Sequence, residues 1–84
     1  MYTVLWVPAA EAELAELWST ARDRARLATA ANEIDLQLRL TPEEQGESRA
    51  AGRRILLVAP LGVTFEVLAS DRIVRVLDVW SFAR

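Results

Sequence analysis

The sequence predicts an α+β fold, a small and mostly antiparallel sheet in the order β-α-α-β-β-β with two helices packed on one of its faces. Three observations predict it. Between Ile55 and Phe82, apolar runs rich in Val and Ile are punctuated by Pro60-Leu61-Gly62 and by Ser70-Asp71, which is the mark of a three-strand meander. Between Pro8 and Leu40, apolar residues recur at spacings of three and four, the period of a helix. Ahead of both, Tyr2 to Val7 is a short run of Val, Leu and aromatic residues that reads as a first strand. A sheet of this kind has a face to bury, and the helical half of the chain is there to cover it. The 84 residues suit one domain over 1–84 with one modest core.

Taken in order, the first strand ends at Pro8, which fits the first position of a helix because its missing N–H costs nothing there. Glu11 and Glu13 follow in the opening turns, where the helix dipole favours them. Ala10, Leu14, Leu17, Trp18 and Ala21 form one stripe. Ser19-Thr20 interrupts it, and Thr20 with Asp23 resembles a capping box carrying Asp in place of Glu or Gln. A second stripe, Leu27, Ala31, Ile34 and Leu38, runs to Leu40. Two antiparallel helices joined near Ser19 are the simplest account, with one long bent helix as the alternative. Thr41-Pro42 stops the helical half, since a residue before Pro disfavours the α region. Residues 41–52 are polar with two Gly and one Pro, and read as an exposed loop. Strands then follow over Ile55–Ala59, Val63–Leu68 and Ile73–Phe82. Two helices separate the first strand from the meander, so it is expected to insert into the sheet rather than form a hairpin. On the last strand, Val74, Val76, Trp80 and Phe82 are expected on one face and Ile73, Arg75, Leu77 and Val79 on the other. Both faces are apolar, which predicts a partner or a second copy, and hence a homodimer, on the face without helices.

Composition narrows the chemistry. Hydrophobic residues make up 52% of the chain, which argues for a folded protein. Cys and His are both absent, so there is no disulfide framework, no thiolate metal site and no imidazole base. No cofactor and no metal are expected; Glu11, Glu13 and Glu16 have the spacing of a solvated helix surface rather than a ligand set. No apolar run is long enough to span a bilayer, and the N-terminus lacks the basic region of a secretory signal. These features predict a cytoplasmic protein without a membrane partner. The net charge of −2 argues against a general nucleic-acid binder, but it is unevenly spread. Residues 1–47 hold four Arg against nine acids, a balance of −5, whereas residues 48–84 hold six Arg against three acids, a balance of +3. All the basic residues are Arg, suited to bidentate phosphate contact, although an Arg- and Ala-rich composition also follows from codon bias.

With this order of elements, the chain resembles the RelE/ParE superfamily of toxins from type II toxin–antitoxin pairs. The resemblance rests on Pro8 and its Ala/Glu/Leu helix, on Thr41-Pro42, on Gly46-Glu47-Ser48-Arg49 and on Gly52-Arg53-Arg54-Ile55. It continues through Pro60-Leu61, Val63-Thr64-Phe65-Glu66-Val67 and Asp71-Arg72-Ile73-Val74, so that it runs from Tyr2 to Trp80. It implies two helices against a small sheet, a cognate antitoxin that wraps the toxin, and one of two activities. RelE-like members cut messenger RNA on the ribosome with Lys, Arg and Tyr residues, and ParE-like members inhibit DNA gyrase. Carried over by position, the first basic residue of the nuclease set matches Arg54, with Arg53 beside it. The second falls on Leu56, and the Arg early in the next strand falls on Val63 or Thr64. The C-terminal Arg and Tyr find no counterpart up to Arg84.

The residues themselves point the same way. RNA transesterification needs a base for the 2′-hydroxyl, an acid for the leaving oxygen and positive charge on the phosphate. Arg supplies charge but, with a pKa above about 12, handles protons poorly. Tyr2 is the sole Tyr, so the proton carriers would have to be carboxylates such as Glu66 and Asp78. Arg49, Arg53 and Arg54 form the one basic cluster, a candidate phosphate site flanked by Glu43, Glu44 and Glu47, or else a solvated edge or a set of ion pairs with an antitoxin's acids. Arg75 and Arg84 complete the target- or RNA-binding candidates. Trp6, Trp18 and Trp80 are expected in the core. The sequence thus predicts a toxin that binds an essential target in the ParE-like manner. The alternatives are a ribosome-dependent messenger RNA endonuclease and a non-toxic orphan relative that dimerises.

Overall fold

A computed structural model describes residues 1–82. Strand β1 (Thr3–Trp6) leads into helix α1 (Pro8–Thr20), helix α2 (Arg24–Leu40), strand β2 (Glu47–Ser48), and then β3 (Arg53–Val58), β4 (Leu61–Leu68) and β5 (Ile73–Ser81). The five strands form one sheet in the order β1-β5-β4-β3-β2. All pairs are antiparallel except β1 with β5, which is parallel. The α+β class and the helical pair on one face agree with the sequence reading. Strand β1 does not insert, however. The two helices carry the chain to the far edge of the sheet, the meander comes back across it, and the last strand, β5, meets β1 in parallel with β4 on its other side, so β1 is left at an edge.

Local chemistry accounts for the helix boundaries. Pro8 opens α1 after Val7, and Glu11 lies in its first turn. Its C-terminal carbonyls are met by Arg24, which donates from Nε to Trp18 O (2.9 Å) and from Nη2 to Ser19 O (3.3 Å), a guanidinium at the negative end of the dipole. The anticipated Thr20–Asp23 capping box is not formed. Thr20 donates instead to the carbonyl of Glu16, and Asp23 alone caps α2 by accepting from Arg26 N at 3.0 Å. Thr41 and the buried Pro42 end α2 as expected. The 41–52 segment is more ordered than a plain loop, for it carries short 3-10 turns at Pro42–Glu44 and Ala50–Gly52 and the two residues of β2 between them.

The core joins Ala10 of α1 and Leu27, Ala30, Ile34 and Leu38 of α2 to Leu56, Leu61, Val63, Phe65, Val74, Val76 and Val79 of the sheet. The last strand corrects the expected alternation. Thr64 pairs with Asp78 but Phe65 pairs with Val76, so Leu77 is an extra residue in β5. Such a bulge reverses the side on which every later residue lies. Val79 therefore joins Val74 and Val76 in the core, and Trp80 turns to the opposite face. There the indole lies over Gly62, its cross-strand partner, where a Cβ would stand 2.6 Å from the ring. The tryptophans are less buried than expected: Trp6 and Trp80 are half-buried, and Trp18 is 44% exposed beneath the Arg24 guanidinium.

Candidate target-binding cleft

The predicted basic cluster lies at the end of the sheet where β2, β3 and the 41–52 segment meet. Arg49, Arg53 and Arg54, together with Glu43, Ser48, Gly52 and Val67, line a cleft of about 280 Å³. The three guanidiniums are not equivalent. Arg54, on the helix side of β3, donates from Nε to Gln45 O (2.8 Å), from Nη1 to Ser48 Oγ (2.8 Å) and from Nη2 to Gly46 O (3.2 Å). It is bound into its own loop on all three nitrogens. Arg49 lies 3.6 Å from Glu47 and donates to Ser48 O. Arg53 is exposed and has no ion pair or side-chain hydrogen bond among the described residues. Its strand partner, Glu66, is taken by Arg75 across the sheet at 2.7 Å.

The other candidates fall apart in space. Arg75 and Glu66 sit on the face away from the helices, and Asp78 is exposed at the bulge. Arg84 lies outside the described residues. The positions where the nuclease set would need its other basic residues are occupied by core: Leu56 is buried and its partner Val63 is fully buried. Thr64 is half-buried on the opposite face.

Sequence reading missed the rim. Glu43 accepts a hydrogen bond from the phenol of Tyr2, and the Arg72 guanidinium lies over the Tyr2 ring at 5.4 Å. The hydrogen bond to Glu43 is the main reason that the Tyr2 phenol is held above its ordinary pKa, with desolvation and the Glu43 charge acting the same way and Arg72 opposing them. At neutral pH this phenol is a proton donor and not a base. No local signal could have paired residues 41 apart; their meeting follows from the way β1 starts beside the end of α2, where Tyr2 N donates to Arg39 O.

What the cleft offers is charge without a matched acid and base: one free guanidinium, one partly paired, one locked, and a carboxylate engaged by a phenol. It can grip an anionic group, and its grip is salt-sensitive. The fold around it is shared with chains of solved toxin–antitoxin complexes. The structure matches a chain of the RelBE2 toxin–antitoxin complex of Mycobacterium tuberculosis with a TM-score of 0.78 at 20% identity, over 99% of this chain and 93% of that one. A chain of the chromosomal ParDE system of P. aeruginosa matches at 0.67 with 18% identity, over 99% and 98%. The intact RelBE complex of E. coli matches at 0.66 with 18% identity, over the full length of both chains. No family model matches the sequence, and no curated protein does. Among the described residues, no helix is long and apolar enough to cross a membrane.

Proposed function

We propose that this chain is the toxin of a type II toxin–antitoxin pair and arrests growth by gripping an essential target, DNA gyrase in the ParE-like manner, rather than by cutting RNA. One observation carries the reading. The only basic residue that matches the nuclease pattern, Arg54, spends its guanidinium on Gln45, Gly46 and Ser48 of its own chain. A cleft so built leaves Arg53 and Arg49 for a target and supplies no pair of proton carriers on either side of a scissile phosphate. The likeness to chains of RelBE and ParDE complexes supports an antitoxin as partner. The one observation that favours the endonuclease alternative is a carboxylate on the rim, Glu43, although the Tyr2 phenol already occupies it.

Induction in a bacterial host tests these readings. Growth is expected to slow, to recover when the neighbouring gene is co-expressed, and to leave transcripts intact, while purified protein blocks gyrase supercoiling. New transcript 5′ ends that vanish in Glu43→Gln would overturn the binding reading. No growth defect at all would leave an orphan relative.

A further inference from the structure

The face of the sheet away from the helices is apolar toward its ends and charged at its centre. Leu56, Val63, Phe65, Val74 and Val76 point into the core. Strand alternation therefore places Ile55, Leu57, Glu66, Leu68, Ile73 and Arg75 on the opposite side, where the bulge also puts Trp80. Leu5 of β1 aligns with Arg75 and shares that face. Leu5, Leu57 and Leu68 are exposed, and Ile55, Ile73 and Trp80 are half-buried. At the centre, Glu66 on β4 and Arg75 on β5 are cross-strand partners joined at 2.7 Å. The Arg75 side chain is still 45% exposed and that of Glu66 22%, so each can take a second partner.

An acid and a base side by side on neighbouring strands are their own electrostatic complement. A two-fold axis parallel to the strands and midway between β4 and β5 exchanges them. Glu66 of one copy then lies over Arg75 of the partner subunit, and the reverse. Sheets stacked in this way stand about 10 Å apart, a gap that opposed Arg and Glu side chains span. The same operation keeps every residue at its own level along the strands. It sets Leu68 over the partner's Ile73 and brings the two Trp80 indoles, each lying over its own Gly62, together at the axis. Arg53, in the row of Glu66, Arg75 and Leu5, covers the partner's Leu5 with its stem and keeps its guanidinium in water. We infer that two copies of this chain pack sheet against sheet through this face, with four alternating charges at the centre and apolar residues on either side. Strand β2 is third from the axis, whereas β1 on the other side is second. The β2 margin thus projects past the partner, and the arginine cleft stays open. Such pairing goes beyond the toxin reading, because it does not require that the chain be toxic.

Sedimentation equilibrium on the full chain tests this with charge reversals. The wild type is expected to be dimeric at micromolar concentration. Glu66→Arg and Arg75→Glu each oppose like charges across the axis, and each alone should weaken the dimer at least about tenfold. An equimolar mixture of the two should recover a heterodimer, since every crossed contact again joins opposite signs. The pair within each chain stays broken in that mixture, so recovery reports the contact between copies. Leu68→Lys leaves the Glu66–Arg75 pair intact and sets a charge over the partner's Ile73; it too should weaken the dimer at least about tenfold, and it decides the matter where circular dichroism shows a reversal to be unfolded. The inference is overturned by a wild type that stays monomeric at millimolar concentration, or by a dimer that Leu68→Lys leaves as strong as before. It is equally overturned if folded single reversals fail to pair when mixed. Growth arrest plays no part in these readouts, so failure of the toxin reading would leave them standing.

Discussion

Gly46 and Gly52 form a matched pair for testing how the cleft is held. Both have left-handed backbones, with φ of +68° and +71°. They differ in what surrounds them. A Cβ on Gly46 would stand 2.2 Å from Ile55 O and 2.9 Å from Ile55 C, whereas a Cβ on Gly52 meets nothing within 4 Å. Gly52→Ala therefore incurs the left-handed penalty alone, about 1 kcal/mol. Gly46→Ala incurs the same penalty and must also open the backbone against β3 by about 1 Å to reach an ordinary contact distance. That shift weakens the short β2–β3 pairing and the bond from Arg54 to Gly46 O, and hydrogen bonds to a charged group are worth about 1.5–3 kcal/mol. The expected total is about 3 kcal/mol. For a domain of this size each kcal/mol lowers Tm by about 4–8 °C, so Gly46→Ala should melt about 12–24 °C lower and Gly52→Ala about 4–8 °C lower. Thermal unfolding followed by circular dichroism measures both. Because the larger loss runs through Arg54, Arg54→Met should cost less in the Gly46→Ala background than alone, with a coupling of at least about 0.5 kcal/mol. Equal losses for the two glycines, or additive effects with Arg54→Met, would refute the idea that Arg54 holds this loop.

Further outcomes follow from single contacts. Tyr2 is the only tyrosine, so absorbance at the tyrosinate band reports it alone; its midpoint should lie above 10.0 and fall toward that value in Glu43→Gln. Because the folded-state pKa is raised, the stability that this phenol contributes is fully present below the unfolded value and is lost as pH rises through the folded one. The stability difference between wild type and Tyr2→Phe should accordingly be flat to about pH 10 and shrink above it in urea titrations. Glu13 accepts from Val79 N at 3.2 Å, just past the point where β1 ends. Glu13→Ala should cost about 1–2 kcal/mol by leaving that donor unmet, and Glu13→Gln, which keeps an acceptor, should cost less. Gly62→Ala should displace the Trp80 ring, with a change in near-ultraviolet dichroism and a loss of about 1–3 kcal/mol from overpacking.

Much of the fold was legible because it depends on period and punctuation. Leu27, Ile34 and Leu38 announce the buried side of α2, Pro8 and Thr41-Pro42 mark helix limits, and Pro60 and Ser70-Asp71 divide the meander. What escaped depends on partners far along the chain. The extra residue at Leu77 leaves no local trace, since Val79 and Trp80 are both credible core residues until β4 sets the pairing. The edge position of β1 follows from its pairing with the last strand, β5, and not from its own residues. The site was legible only as composition: three arginines near one another are visible in sequence, but that Arg54 is committed to Gln45, Gly46 and Ser48 while Arg53 stays free depends on the curl of the 45–48 backbone. Glu43 and Tyr2 meet only because opposite ends of the helical hairpin bring them together.

The inequality of the two sheet margins also limits how large an assembly can grow. Lateral polymerisation, as in fibres, needs each subunit to offer a receptive side and a complementary one. Here only the Thr3–Trp6 margin is long enough to accept a strand, and Glu47–Ser48 at the far margin is too short to pass the pairing on. One addition saturates the sheet. The chain can therefore hold an open margin at high concentration without growing into a filament.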